Sequence, residues 1–238
     1  MPASDCLIQP KQEHPCRCGR LRIFMGYAPG VGKSSRLLQE AHRLKEKKVD
    51  VVVGFIEARD RPATVALLDG LPVVEAKRVV HRNVSVREMD VAAILQRRPA
   101  VAIIDDAAHL NPPGFTNRFR YQDILEVVTS GIDVYCSLDI FQVESLLEIV
   151  VQTTGATLRK SVPDSFLIQA DQVQLVELAE EILLERWQKG LLHPLEMPSH
   201  PLGKLFTPDH LTFLRLLTLR EMFQLHEKKA NTNCAWNC

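Results

Sequence analysis

Two groups of residues in this chain have types and spacings that could do chemistry together. The first is Gly26, Gly30, Gly32, Lys33 and Ser34, within FMGYAPGVGKS at positions 24–34. Glycines let successive main-chain N–H groups turn inward on an anion, and a helix that starts there aims its positive end at the same point. Lys33 would reach the outer phosphates of a nucleotide and the Ser34 hydroxyl would bind Mg²⁺; Val31 and Ser35 are counted with them as nucleotide-contacting positions. The spacing G-x-x-x-x-G-K-[ST] asks for its first glycine at 27, where Tyr27 stands, and Gly26 is one residue early. A glycine-rich turn with a chance lysine is the plainer alternative, but the apolar run before it and the helical pattern after it both suit a phosphate-binding loop.

The second group is Asp105 and Asp106, directly after Val101, Ala102, Ile103 and Ile104. A buried strand that ends in an acid can bring a carboxylate beside the phosphate loop, where Asp105 would hold the water shell of Mg²⁺. Asp106 stands where many ATPases carry a water-orienting acid, and it is the candidate catalytic residue; a local turn hydrogen bond is the alternative. Glu57, at the end of the run Val51 to Ile56, is either a ligand group at the sheet edge or a solvated strand end. His109, Asn111, Arg118 and Arg120 lie in a loop whose arginines could clamp a γ-phosphate or face solvent.

The elements that must position these residues follow from hydrophobic patterning. A strand is expected over about 20–26 and a helix over about 33–47, striped by Leu37, Leu38, Ala41 and Leu44. The continuous apolar run from Val51 to Ile56 suits a parallel strand covered on both faces. Pro62 starts a short helix through Leu68, and Gly70 stops it. Short strands are expected over 71–74 and 78–81, and a helix over 86–97 from Met89, Val91, Ile94 and Leu95. A helix over 121–129, a strand over 132–138 and a helix over 141–151 continue the alternation. Strands over 157–162 and 172–176 and a helix over 179–189 follow. This order predicts an α/β fold, a P-loop NTPase-like three-layer sandwich with a mainly parallel sheet and a C-terminal helical extension. Residues 1–18 read as a flexible arm, 19–190 as the nucleotide-binding domain, 191–228 as linker and final helix, and 229–238 as a disordered tail. The final helix, over 209–228, has Leu211, Leu214, Leu217 and Leu219 on one side and must pack on the sheet domain or on another protein.

Composition narrows the class. With 29 basic and 29 acidic residues the net charge is zero, which gives no reason to expect nucleic acid or an anionic membrane as partner. No apolar run approaches the roughly 18 residues of a membrane span, and the N-terminus has no signal-peptide pattern, so a cytoplasmic protein is expected. The six cysteines read as reduced thiols, although His14, Cys16 and Cys18 could begin a metal site.

Several blocks together resemble one family. They are GRLRIFMGYAPGVGKS (19–34), EAHRLKEKKVDVVVGFIE (40–57), IIDDAAHLNPPG (103–114), RYQDI (120–124), GIDVY (131–135), VESL (143–146) and VPDSFLIQAD (162–171). They look like the N-terminal cytoplasmic domain of the KdpD osmosensitive potassium-channel sensor histidine kinases, over roughly residues 19–225. The resemblance implies an ATP-binding regulatory module in a two-component system that answers potassium limitation or osmotic stress. It implies ATP and Mg²⁺ as ligands, another sensor component as partner, a homo-oligomer as an option, and membrane association only through a partner sensor. The family's phosphate loop, shifted glycine included, carries over onto Gly26, Gly30, Gly32, Lys33 and Ser34. Its aspartate strand carries over onto Asp105, with His109 and Asn111 beyond. Three places depart from the family pattern. Asp106 replaces a usual Glu, Ala58 to Arg61 replace Thr-His-Gly-Arg, and Asp139 to Gln142 replace Asn-Val-Gln-His. No kinase core is legible, so a regulatory module without its own phosphotransfer machinery is expected. A stand-alone ATPase or phosphotransferase, and an interaction domain that no longer binds nucleotide, are the alternatives.

Overall fold

The computed structural model describes residues 18–57, 62–81, 84–192 and 201–235. Its centre is a five-stranded, all-parallel sheet. The strands are β1 (Leu21–Gly26), β2 (Val51–Phe55), β5 (Val101–Ile104), β6 (Asp133–Asp139) and β7 (Gln172–Val176), in the order β2-β5-β6-β1-β7. Every residue of β2 and β5 is buried, so both faces of that half of the sheet are covered. Apolar runs without alternation are therefore what these positions require. A separate antiparallel hairpin pairs β3 (Lys77–His81) with β4 (Val84–Glu88).

The helices are α1 (Lys33–Glu46), α2 (Pro62–Leu68), α3 (Val91–Arg97), α4 (Arg120–Thr129), α5 (Leu147–Thr154), α6 (Asp164–Gln169), α7 (Glu180–Gln188) and α8 (Pro208–Ala235). α1 buries Leu37, Leu38, Ala41 and Leu44 against the sheet, as its stripe requires. α8 buries Leu211, Leu214, Leu217 and Leu225, and packs on α5, α6 and α7 of its own chain. Leu219, expected on the apolar side, is exposed. The helix continues to Ala235, beyond the expected end at 228.

Four stretches differ from expectation. Residues 84–88 form strand β4 rather than the start of a helix. Asp90 caps the helix by accepting a 3.0 Å bond from Ala93 N–H, which fixes the start of α3 at Val91. The 71–74 stretch makes only an isolated bridge, Val53 to Val73, and 157–162 only one at Val162. Residues 140–146 are two short 3₁₀ turns ahead of α5, so the expected single helix over 141–151 is broken. The six-residue helix α6 had no counterpart in the sequence reading.

Among the described residues no helix is long and apolar enough to cross a membrane, and no cluster of three or more His, Cys, Asp or Glu could hold a metal. His14 and Cys16 lie outside the described residues, as do Ala58 to Arg61.

Candidate functional site

The glycine loop leaves β1 at Gly26 and enters α1 at Lys33. Gly30 (φ 86°) and Gly32 (φ 102°) both adopt left-handed backbone, which L side chains rarely adopt. Gly32 is the N-cap of α1, and no side chain caps that end; its first turn contains no acid. The first N–H groups of a helix have no acceptor within the helix, so this end keeps its partial positive charge. A Cβ on Gly26 would stand 2.7 Å from Val31 Cγ2 and 2.9 Å from Lys33 Cδ, so any larger residue there must push Val31 or Lys33 aside. The shifted first glycine thus has a packing reason of its own. Tyr27 is buried, and its hydroxyl donates to the Leu178 carbonyl at 2.7 Å, pinning the loop to the segment before α7. Gly32, Lys33, Ser34 and Ser35 are half-buried.

Asp105 ends the β5 run, and the Ser34 hydroxyl donates to its Oδ2 at 2.6 Å. These two residues, separated by β6 in the sheet, nevertheless converge. The carboxylate stands beside the glycine loop, as its place at the end of a buried strand leads one to expect, although β6 lies between the two strands. The other Asp105 oxygen accepts from the Ser137 hydroxyl of β6. A hydroxyl and a carboxylate in contact form an all-oxygen donor set of the kind Mg²⁺ takes. The residues present therefore fit both a polyphosphate and its metal.

Lys33 Nζ makes a 2.5 Å ion pair with Asp139 Oδ1, at the end of β6. Burial pushes the Asp139 carboxyl above the ordinary range, although Lys33 pulls the other way. Asp106 has left-handed backbone (φ 49°), uncommon for a residue with a side chain. Its N–H donates to Ser137 Oγ at 2.9 Å, and its carboxylate accepts from Lys160 at 3.3 Å and from Gln142 at 3.4 Å. Burial would raise the Asp106 carboxyl, but Lys160, Arg120 and His109 together outweigh it and hold it below the ordinary range.

Behind these groups lies a buried support. Arg120 is 1% exposed, donates to the Asp105 carbonyl at 3.2 Å, pairs with Glu88 at 3.1 Å, and stacks over the Phe55 ring at 4.2 Å. His109 Nε2 lies 3.0 Å from Glu88. Arg120 is thus a strut under the Asp105 backbone rather than a solvent-facing group. Arg118 instead lies over the Phe119 ring, and Asn111 donates to Asp123 at 2.7 Å, so that part of the loop is held by its own hydrogen bonds. Glu57 lines a separate crevice of about 330 Å³ at the end of β2, with Phe55 and Arg87.

Sequence reasoning brought Gly26, Gly30, Gly32, Lys33, Ser34, Asp105 and Asp106 to one edge of the sheet. It did not weigh Ser137, Glu88 or Lys160, and it named Asp139 and Gln142 only as departures from a family pattern. The end of β6 was the available signal: a buried strand closing on an acid, as β5 does.

Fold and site together define an α/β domain with a glycine loop at a helix N-terminus, facing carboxylates at the C-terminal edge of a parallel sheet. Residues 17–225 match the family described as the osmosensitive K⁺ channel His kinase sensor domain, KdpD. The chain belongs to that family. It is 39% identical over 215 residues to a KdpD-type sensor protein of Synechocystis sp., covering 90% of this chain and 58% of that one. It is 37% identical over 210 residues to the sensor protein KdpD of Clostridium acetobutylicum, and 39% identical over 202 residues to that of Escherichia coli. Those matches cover 88% and 85% of this chain and 23% of each relative, so the chain spans a minor part of their length.

Proposed function

We propose that this chain is a nucleotide-binding regulatory domain of a KdpD-like two-component system that answers potassium limitation or osmotic stress. In this reading the domain is a P-loop NTPase-like sandwich and ATP with Mg²⁺ is its ligand. Main-chain N–H groups of Gly30 to Ser35 and the Lys33 ammonium hold the phosphates. The Ser34 hydroxyl and the Asp105 carboxylate hold the metal and its water. When bound, Mg²⁺ supplies charge neutralisation between phosphate oxygens. The observation that carries the reading is the pairing of two left-handed glycines at the uncapped start of α1 with the 2.6 Å contact between Ser34 and Asp105.

Binding suits this site better than hydrolysis. A general base needs a carboxylate that takes up a proton readily near neutral pH. Asp106 is held on the acidic side and tied to Lys160 and Gln142. It is a poor base, and turnover slow enough for a timer or sensor is expected rather than metabolic flux. The readout is passed to another sensor component, through loops that meet the nucleotide edge. Isothermal titration with ATP in the presence of Mg²⁺, on wild type and Lys33→Ala, tests the binding. Phosphate release from wild type and Asp106→Asn separates the regulatory reading from an ATPase: turnover lost at unchanged ATP affinity would favour the enzyme.

A further inference from the structure

We propose that Asp139 sets what the glycine loop accepts: its carboxylate occupies Lys33 as a built-in substitute for phosphate, displaced only by a ligand that also fills the main-chain cradle and brings a divalent cation. This inference rests on the phosphate-binding reading above.

The geometry is direct. Asp139 is in register with Gly26 across the β6–β1 pair, so its side chain starts about 4.8 Å, one strand spacing, from the beginning of the loop. Lys33 Nζ meets its Oδ1 at 2.5 Å, and both side chains are 12% exposed. The lysine's other contact is a long one, 3.5 Å to the Ala28 carbonyl. The ammonium that would hold a phosphate is therefore already held by a carboxylate of the same chain. The pair is desolvated on both sides, so it is not a weak surface ion pair.

Moving Lys33 onto a phosphate would leave the Asp139 carboxylate buried without its cation. Among the described residues, the cations at this edge already hold other partners, including Arg186, which donates to the Gly30 carbonyl at 3.4 Å. Lys160 pairs with Asp106, and Arg120 pairs with Glu88. After burial and Lys33, the largest influences on Asp139 are the like charges of Asp106 and Asp105. A phosphate arriving alone would add a fourth negative group to these three. A metal-bound polyphosphate brings its own positive charge, and the cradle adds contacts that Asp139 cannot make from its strand. The same arrangement therefore disfavours inorganic phosphate and metal-free nucleotide more than the Mg²⁺ complex.

The test is isothermal titration of the full chain, as wild type, Asp139→Asn, Asp139→Ser and Lys33→Ala, with ATP in Mg²⁺ and with ATP in EDTA. Thermal melts establish which variants are folded, and the serine variant carries the test if the asparagine variant is not. Expected is MgATP binding at least about tenfold tighter in the Asp139 variants, equal to about 1.4 kcal/mol, with a larger gain for ATP in EDTA. Wild-type binding that Lys33→Ala weakens, with no tightening in either Asp139 variant, would overturn this inference and leave the phosphate-binding reading standing. Equal gains with and without metal would overturn the selectivity for metal complexes. If neither wild type nor the Asp139 variants bind nucleotide, the phosphate-binding reading falls, and this inference with it.

Discussion

Arg120 shows how much of the site depends on residues that touch no ligand. Its guanidinium is buried, paired with Glu88 and bonded to the backbone that presents Asp105. Removing one member of a buried pair leaves the other charge uncompensated, at a cost of about 3–5 kcal/mol. With His109 still 3.0 Å from Glu88, Arg120→Ala is expected to lose about 3 kcal/mol, the low end of that range, in urea unfolding; a loss below about 1 kcal/mol would show that His109 alone suffices for Glu88. The Glu88 carboxyl gives a pH signature with a defined sign. Burial raises it, but His109 and Arg120 outweigh burial and leave it below the ordinary carboxylate range. A carboxylate held low in the folded state stabilises above its unfolded pKa, and that stability is lost as pH falls through the folded value. Wild-type urea midpoints should drop below about pH 4, and the drop should be smaller in Arg120→Ala. Identical acid profiles for the two proteins would contradict the assigned pairing. Lys33, Ser34 and Asp105 were legible because their types and chain order carry a mechanism. Asp139, Ser137, Glu88 and Lys160 were not, because their roles exist only once β4, β6 and the 156–162 segment come together.

At the scale of elements, the loop between β1 and α1 is shaped by steric exclusion at Gly26 and by backbone conformation at Gly32. An added Cβ at Gly26 meets Val31 and Lys33, whereas at Gly32 it meets nothing within 4 Å. Gly26→Ala should displace Lys33 and weaken MgATP binding by at least about tenfold, roughly 1.4 kcal/mol. Gly32→Ala should cost stability through its left-handed backbone alone, about 1 kcal/mol. Calorimetric titration and urea melts of both variants check this; equal binding losses at the two sites would contradict it. β1, β2, β3, β5, β6 and β7 all fall where strands were expected, and in β2 and β5 burial on both faces makes the sequence continuously apolar. β4 was missed because its VSVRE run abuts the helical spacing of Met89, Val91, Ile94 and Leu95, and the periodicity extends backward across the Asp90 cap. α6 spans fewer than two turns, too short for a period to register.

At the scale of the whole molecule, the sheet and the C-terminal helix form one packed unit. Leu214 is fully buried at the contact of α8 with its own chain. Leu214→Ala should therefore cost about 2–5 kcal/mol in unfolding, whereas a helix reserved for an outside partner would tolerate the change. Alternation of strands and helices was enough to read the parallel sheet. It did not give the strand order, because chain sequence does not say that β6 inserts between β1 and β5. The proposed nucleotide binding predicts a domain more stable when loaded: with free ligand at 100 times its Kd, the gain is about 2.7 kcal/mol. MgATP should accordingly raise the melting temperature of wild type and raise that of Lys33→Ala far less at the same concentration.

The most direct measurement is calorimetric titration of the wild-type chain with ATP in Mg²⁺, beside Lys33→Ala. Expected is saturable binding, one nucleotide per chain, dependent on Mg²⁺ and weakened at least about a hundredfold, roughly 2.7 kcal/mol, by the substitution. Absence of binding in wild type, or binding that survives the loss of Lys33 undiminished, would contradict a phosphate-holding loop at the start of α1.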